Sequence, residues 1–327
     1  MLEFIGKKDD VALVLSESSS DDLMRVSIEH LIASGEAISP RKGAARELQG
    51  VTLELTNPRR RLSRSETRGH IFSALGEFCW YLSGSNALEP IAYYLPFYRN
   101  FADGEHVYGG YGPRLFAFDG VNQVDQVINR LRERPHSRQA VIQIFDHEDL
   151  VEQHKDVPCT CTLQFLLRDG GLHLITHMRS NDVYLGLPHD IFSFTMLQEI
   201  VARSIGASLG SYIHMVGSLH LYEADGTKAE AFLKEGWQSA AMQMPDMPTG
   251  DPWLAVERLL TAEAQLRAGI DPVELVIGDE PYWEDLKRLL AIFALLKAKR
   301  FEEADGMRQE LRSAVYDLFV TDKIDPI

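Results

Sequence analysis

Between residues 157 and 190 the sequence VPCTCTLQFLLRDGGLHLITHMRSNDVYLGLPHD spaces a cysteine, an arginine and two aspartates so that a hairpin and a sharp turn can gather them. Cys159 follows Pro158 and precedes an extended run, residues 163–167. Asp169-Gly170-Gly171 reads as a tight hairpin turn. The return strand, residues 172–178, leads straight into Arg179-Ser180-Asn181-Asp182. Gly186-Leu187-Pro188 then precedes Asp190 and a long apolar-periodic helix. A thiol suits covalent catalysis, and a guanidinium suits bidentate pairing with a phosphate.

The flanking chain must supply a scaffold. Residues 21–34 read as a helix with acidic residues at its start and Gly35 stopping it. Residues 51–55 alternate as a strand does. The loop at 39–43 is basic and turn-prone. NPRRRLSRSETRG beyond it crowds Arg59, Arg60, Arg61, Arg64 and Arg68 together, as a solvated loop or as anion contacts. Residues 68–83 form a helix with Ile71, Leu75, Phe78 and Leu82 on one stripe. Glu77 lies off that stripe, flanked by Ala74, Trp80 and Tyr81, so the helix is apolar most of the way round. A carboxylate buried there is costly without a partner, and this pattern leaves a structural and a functional role equally open.

The aromatic-dense segment 91–101 points to core, and residues 139–145 to a strand after Ser137-Arg138. The helix over 191–205 turns Ile191, Phe194, Leu197 and Val201 inward. Two further strands follow at 211–216 and 219–222. Composition shifts after Asp225: a loop rich in Met, Pro and Gly at 236–252 precedes three helical patterns, which begin at Trp253, Trp283 and Phe301.

These motifs, taken in order, resemble the folate-dependent thymidylate synthase family. That family carries a Pro-Cys with Gln-Phe soon after, an Arg-Ser-x-Asp, a Gly-x-Pro followed by Asn or Asp, and a His-x-Tyr. Here they stand as Pro158-Cys159, Gln164-Phe165, Arg179-Ser180-Asn181-Asp182, Gly186-Leu187-Pro188 with Asp190, and His220-Leu221-Tyr222. Glu77-Phe78-Cys79-Trp80 and Val107-Tyr108-Gly109 are similar to two more family motifs. The likeness covers roughly residues 22–225. It implies an α+β fold, a mixed sheet packed with helices, with a catalytic domain over 1–225. The helical region 226–327, expected to pack on the same domain, departs from the family's usual strands and mobile C-terminal peptide. Residues 323–327 are the candidate closing tail.

Composition narrows the partners. The 327-residue chain is 45% hydrophobic and 25% charged, as ordinary globular proteins are. A net charge of −15 disfavours a nucleic-acid polymer, whose phosphates need a basic surface, but a single nucleotide held by a few arginines is compatible. Cys79, Cys159 and Cys161 make no disulfide framework, which points to a reducing, cytoplasmic compartment. The N-terminus does not read as a signal peptide, and no run approaches the ~20 apolar residues of a membrane span. The histidines show no trusted metal-ligand spacing, so no metal is expected.

The resemblance implies roles. Cys159 would add to C6 of a pyrimidine nucleoside monophosphate, turning C5 into a carbon that can attack a one-carbon electrophile. Nearby arginines would give the thiol its thiolate character. Arg179 would hold the nucleotide phosphate, together with Arg41 and with Arg138 lent across a homodimer interface; Gln139 stands where the family has a second arginine. Gln164, Ser180, His220 and Tyr222 would complete the substrate site, with a satisfied core histidine as the lesser reading of His220. Glu77 would organise water and relay protons, with Tyr108 beside it. Asp182, Trp80, Tyr94 and Gly186 would face the cosubstrate 5,10-methylenetetrahydrofolate. Cys161 is given no role.

Asp190 replaces the family's Asn, whose amide reads uracil. A protonated Asp could instead donate to N3 of cytosine and accept from its amino group, and burial would favour that neutral form. A plain helix N-cap is the competing role. No tryptophan lies between Trp80 and Trp237, so the wall around Tyr94-Leu95-Pro96-Phe97 is expected to be smaller and to admit water. Both features favour hydroxymethylation of CMP or dCMP. Thymidylate synthesis from dUMP and a non-catalytic nucleotide-binding role are the alternatives.

Overall fold

The computed structural model describes residues 13–65, 68–69, 71–237, 239, 242–275 and 280–324, with side chains at 64, 65, 68, 69 and 322 left outside the description. The last three residues of the expected closing tail, 325–327, and the side chains of Arg64 and Arg68 therefore lie outside the described residues.

In chain order the first elements are β1 (Val14–Glu17), α1 (Ser20–Ser34), β2 (Glu36–Ile38), β3 (Ala45–Leu55), β4 (Arg64–Ser65) and β5 (Arg68–Gly69). Then come α2 (Ile71–Leu82), α3 (Leu88–Tyr94), α4 (Tyr111–Phe116), α5 (Gln123–Glu133) and β6 (Val141–Gln143). The central stretch forms β7 (Thr160–Arg168), β8 (Gly171–Met178), β9 (Asn181–Asp182), α6 (Leu187–Ser204) and β10 (Ser208–Tyr222). Helices α7 (Gly226–Lys234), α8 (Trp253–Arg267), α9 (Pro281–Lys297), α10 (Phe301–Gln309) and α11 (Asp317–Ile324) close the chain.

Eight strands form one mixed sheet in the order β1-β3-β10-β8-β7-β6, with β2 on β3 and β9 on β10. The β7–β8 connection is the expected hairpin: Asp169 and Gly170 both take positive φ, 50° and 79°, as a two-residue primed turn requires. The two strands expected at 211–216 and 219–222 are one, β10, which pairs with β3 along one edge and with β8 and β9 along the other. Its alternating side chains Tyr212, His214 and Val216 face the core, as a two-residue period dictates.

Helix α2 lies at the centre of the helical layer and is buried at eleven of its twelve residues. Gly76 is what allows α3 to approach it. A Cβ there would stand 2.2 Å from Cγ of Tyr94. Tyr94 is in turn covered by the tail helices: its ring stacks on Phe293 of α9 at 5.0 Å, and its hydroxyl donates to Glu263 of α8 at 3.2 Å. Phe293 also meets Phe72 and Tyr93. The third predicted helical pattern breaks into α10 and α11, and Asp285 of α9 accepts the backbone N–H groups of Arg312 and Ser313 at that break.

Replacing Gly76 with Ala should force Tyr94 off its seat and destabilise the fold by about 1–3 kcal/mol, read as a lowered urea midpoint. An unchanged midpoint would mean that α3 yields without cost.

Candidate active site

The β7–β8 hairpin and the turn into β9 bring the two ends of the 157–190 stretch together. The backbone N–H of Arg179 donates to the Cys159 carbonyl at 2.9 Å. The guanidinium reaches back as well, with Nε donating to Pro158 O at 2.9 Å and Nη2 to Val157 O at 3.0 Å, and Nη2 stands 3.7 Å from Cys159 Sγ. The loop that presents the thiol is thus held by the arginine beside it. The expected thiolate does not follow. Burial pushes the Cys159 thiol up to about 11, Arg179 opposes the shift, and Asp156 and Asp190 add to it. At neutral pH Cys159 is a thiol.

Arg41 lies in the loop between β2 and β3 and donates to Lys155 O at 2.9 Å. Its neighbour Lys42 sits over the Phe101 ring at 4.4 Å. Burial raises the Asp156 carboxyl, while Lys42, Arg179 and Arg41 pull it down, so all three cations share the surroundings of Asp156. Arg138 is placed elsewhere, exposed just before β6. Gln164 is with it and not with the thiol: its Nε2 donates to the Arg138 carbonyl at 3.0 Å.

Glu77 has the partners its burial requires. Tyr98 donates to Oε1 at 2.5 Å, and His189 Nδ1 lies 2.7 Å from Oε2. Burial pushes this carboxyl up, but the His189, Tyr98 and Tyr81 contacts outweigh it, and its pKa lies below the usual glutamate value. Glu77 is therefore an anion ringed by donors. Tyr108 is not among them. Its ring stacks on His154 at 3.4 Å and lies beneath the guanidinium of Arg114. The tyrosine that the fold carries inward is Tyr111, three residues on. Its ring lies tilted against Tyr81 at 5.0 Å, and its hydroxyl accepts from Thr160 Oγ1 at 3.0 Å, one residue from the thiol.

The expected cosubstrate residues separate. Asp182 Oδ1 accepts the backbone N–H groups of Tyr184 and Leu185. Burial raises its pKa, those two bonds and His220 opposing. Gly186 is the N-cap of α6. Trp80 is a core anchor, its Nε1 donating to Ala87 O at 3.0 Å with one edge against Tyr98. Tyr94, sealed under α8 and α9, reaches no part of this cluster; the aromatic that meets Glu77 is Tyr98, and Phe97, half exposed, stacks on it at 4.9 Å. Ser180 is half-buried in the turn before β9. His220, buried, packs edge-on against Tyr222 at 4.9 Å, and both Asp182 and Cys159 raise the Tyr222 hydroxyl beyond the effect of its burial.

Asp190 sits in the first turn of α6, its N–H bonded to Gly186 O at 3.0 Å, so it is not the cap. Its Oδ2 accepts from Asn181 Nδ2 at 2.8 Å. Burial first, and then the charge of Glu77, lift its pKa to about 8, with the Asn181 bond opposing. Asp190 is protonated at neutral pH. His189, Asn181 and Tyr98 were all legible as letters near the motifs, but only contacts across elements give them a role.

Among the described residues no three His, Cys, Asp or Glu side chains converge as a metal site requires, and no helix is long and apolar enough to cross a membrane.

A mixed sheet packed with helices, with a thiol, an arginine and two carboxylates at one end of its central strands, makes this an α+β scaffold. The chain belongs to the thymidylate synthase family, whose sequence model, described as "Thymidylate synthase", matches residues 27–250. It is similar to a deoxyuridylate hydroxymethyltransferase of Bacillus phage SP01, at 29% identity over 60% of this chain and 55% of the relative. It is also similar to a thymidylate synthase of Mycoplasma pneumoniae, at 34% identity over 35% of this chain and 39% of the relative. The chain thus spans about half or less of the length of these curated relatives.

The raised Asp190 pKa makes a thermodynamic prediction. A carboxyl raised from 3.8 to about 8 lets the folded state hold a proton that the unfolded chain releases. Its contribution is complete below the unfolded value and is lost as pH rises through the folded one. Asp190→Asn should therefore gain melting temperature over the parent as pH is raised from about 5 to about 9. A gap that stays constant with pH would show that Asp190 is ionised throughout.

Proposed function

We propose that this protein transfers a one-carbon unit from 5,10-methylenetetrahydrofolate to C5 of a cytosine nucleoside monophosphate and releases a hydroxymethyl product. The observation that carries the base assignment is a carboxyl at Asp190, given a single donor by Asn181 and desolvated enough to favour its acid form, at the position where the family reads the pyrimidine edge. An –OH facing N3 and a carbonyl facing the amino group complement cytosine at both atoms, whereas uracil presents N3–H and O4, the reverse.

The residues supply the rest. Sulfur of Cys159 forms a bond to C6, the C5=C6 pair moves towards C4, and N3 takes the Asp190 proton. The thiol gives its proton to water as the C–S bond forms, the negative charge rests on the Asp190 carboxylate, and Arg179 beside the sulfur opposes the effect of burial. The Glu77 anion, held in place by its ring of donors, orders a water and receives the C5 proton. Once C5 has bonded to the one-carbon unit and lost its proton, the folate amine leaves, water adds to the exocyclic methylene of the nucleotide, N3 returns its proton to Asp190, and the sulfur leaves C6 as the ring regains its double bond. The folate supplies carbon at the oxidation level of formaldehyde. Asp182 fits its ring N–H groups, since Oδ2 accepts no hydrogen bond from the described residues while Oδ1 is already satisfied, and the exposed Phe97 face offers a stacking wall. Arg41 and Arg179 would bind the phosphate.

A second reading is hydroxymethylation of a uracil nucleotide, favoured by the phage relative, whose name gives deoxyuridylate as its substrate. Arg138, exposed and remote from Cys159, would serve a second copy's site. Supporting this, the outer sheet face bears the half-exposed Ile175 and Ile213 and the exposed Val141 and Met215, a surface that a symmetric partner could cover.

Incubation with methylenetetrahydrofolate and each of CMP, dCMP, UMP and dUMP should add the mass of CH2O to a cytosine nucleotide alone, and Cys159→Ala should abolish release of tritium from C5. Dihydrofolate formation would overturn hydroxymethylation, and uracil preference would overturn the base assignment. Cytosine turnover should fall as pH rises through about 8, where Asp190 loses its proton; a pH-independent rate there would contradict its role as a donor. Mixing inactive Arg138→Ala and Cys159→Ala proteins should restore activity, because the mixed dimer holds one intact site. No recovery would place Arg138 outside the site.

A further inference from the structure

Behind Asp190 runs a chain of buried polar groups. Tyr212 and His214, both fully buried on β10, are joined between the hydroxyl and Nδ1 at 2.7 Å. His214 Nε2 meets Asn181 Oδ1 at 3.0 Å, and Asn181 Nδ2 donates to Asp190 Oδ2 at 2.8 Å. Burial pushes His214 down to about 3, so the imidazole is neutral and carries one N–H. An amide oxygen only accepts, so that hydrogen sits on Nε2, and Nδ1 must accept from the tyrosine. Every hydrogen bond in the chain therefore points the same way, towards Oδ2 of Asp190.

We propose that Tyr212, His214 and Asn181 are positioning residues that decide which Asp190 oxygen carries the proton, and thereby set the preference for an amino-bearing over an oxo-bearing pyrimidine nucleotide. The proposal rests on the base assignment above. An oxygen that accepts from Asn181 is the poorer site for a proton, so the proton resides on Oδ1, which takes no hydrogen bond from the described residues. Oδ1–H then donates to N3, while the second lone pair of Oδ2 accepts from the amino group. Uracil would set N3–H against O–H and O4 against the carbonyl oxygen, two mismatches in a desolvated place. Reversing the chain requires turning the amide, moving the imidazole proton and rotating the phenol hydroxyl together inside a packed core. None of the three needs to touch the nucleotide.

The test is the ratio of dissociation constants for CMP and UMP, measured by calorimetry on the full chain, for the parent, Asn181→Ala, Tyr212→Phe and Asp190→Asn. Asn181→Ala should reduce the preference for CMP by about tenfold. Tyr212→Phe, which keeps the ring and frees the imidazole proton, should reduce it by less with little change in melting temperature. Equal weakening for both nucleotides, or an unchanged ratio in both variants, would overturn the relay. Asp190→Asn separates the two levels. If it reverses the preference while the other variants leave the ratio alone, the relay fails and the base assignment stands. If it too leaves the ratio unchanged, the base assignment itself has failed.

Discussion

A carboxyl group kept uncharged by burial is the constraint around which this site is arranged. Asp190 occupies the first turn of a helix, where the aligned peptide N–H groups favour a negative charge, yet desolvation and the nearby Glu77 anion prevail. The difference from Glu77 is instructive. Glu77 is buried and Asp190 half-buried, and both bear on Tyr81, but Glu77 receives contacts from His189, Tyr98 and Tyr81 whereas Asp190 receives one amide N–H. Donor count and the charge of Glu77 itself, not burial, separate their protonation states. One fold thereby keeps an anion and an acid side by side, the arrangement that lets a site accept one proton and donate another.

The scaffold makes this separation possible. Strand β10 gives Tyr212 and His214 to the relay and His220 and Tyr222 to the opposite end of the same strand, so a single extended element fixes both sides of the Asn181-Asp182 turn. That turn pairs with β10 at Leu219 and His220. A shift of register by one residue would turn His214 to the outer face and break the chain to Asp190. Pairing with β3 from Tyr212 to Tyr222 protects β10 from such a slip.

Local pattern was legible and long-range company was not. The hairpin at Asp169-Gly170, the helix bearing Glu77 and the placement of Cys159 beside Arg179 follow from turn chemistry, apolar period and chain connectivity, each contained within a few dozen residues. Tyr94 misleads because nothing in its own segment shows that α8 and α9, well over a hundred residues later, will close over it. Tyr108 and Tyr111 are interchangeable as letters; the short helix α4, beginning at Tyr111, sends one towards Thr160 and leaves the other against His154. Gln164 follows the strand period away from the thiol. The thiol's high pKa was illegible for a related reason: Arg179 is visible in the sequence, whereas the desolvation that outweighs it is a property of the assembled core.

The tail helices carry a consequence for how the site is held. Helix α2 is gripped on one side by the α6 layer, through Phe78 against Phe192, and on the other by α9, through Phe72 against Phe293. Glu77 projects from the gripped helix, and its partner His189 projects from α6, so the 2.7 Å contact between them spans two separately packed elements. A helix packed on both faces has little freedom to rotate, because interiors are close-packed and yield in discrete steps. The helical ending, which has no counterpart in the sequence motifs of the site, thus bears on the chemistry through rigidity: it fixes the angle at which one carboxylate meets the ring of donors that keeps it charged.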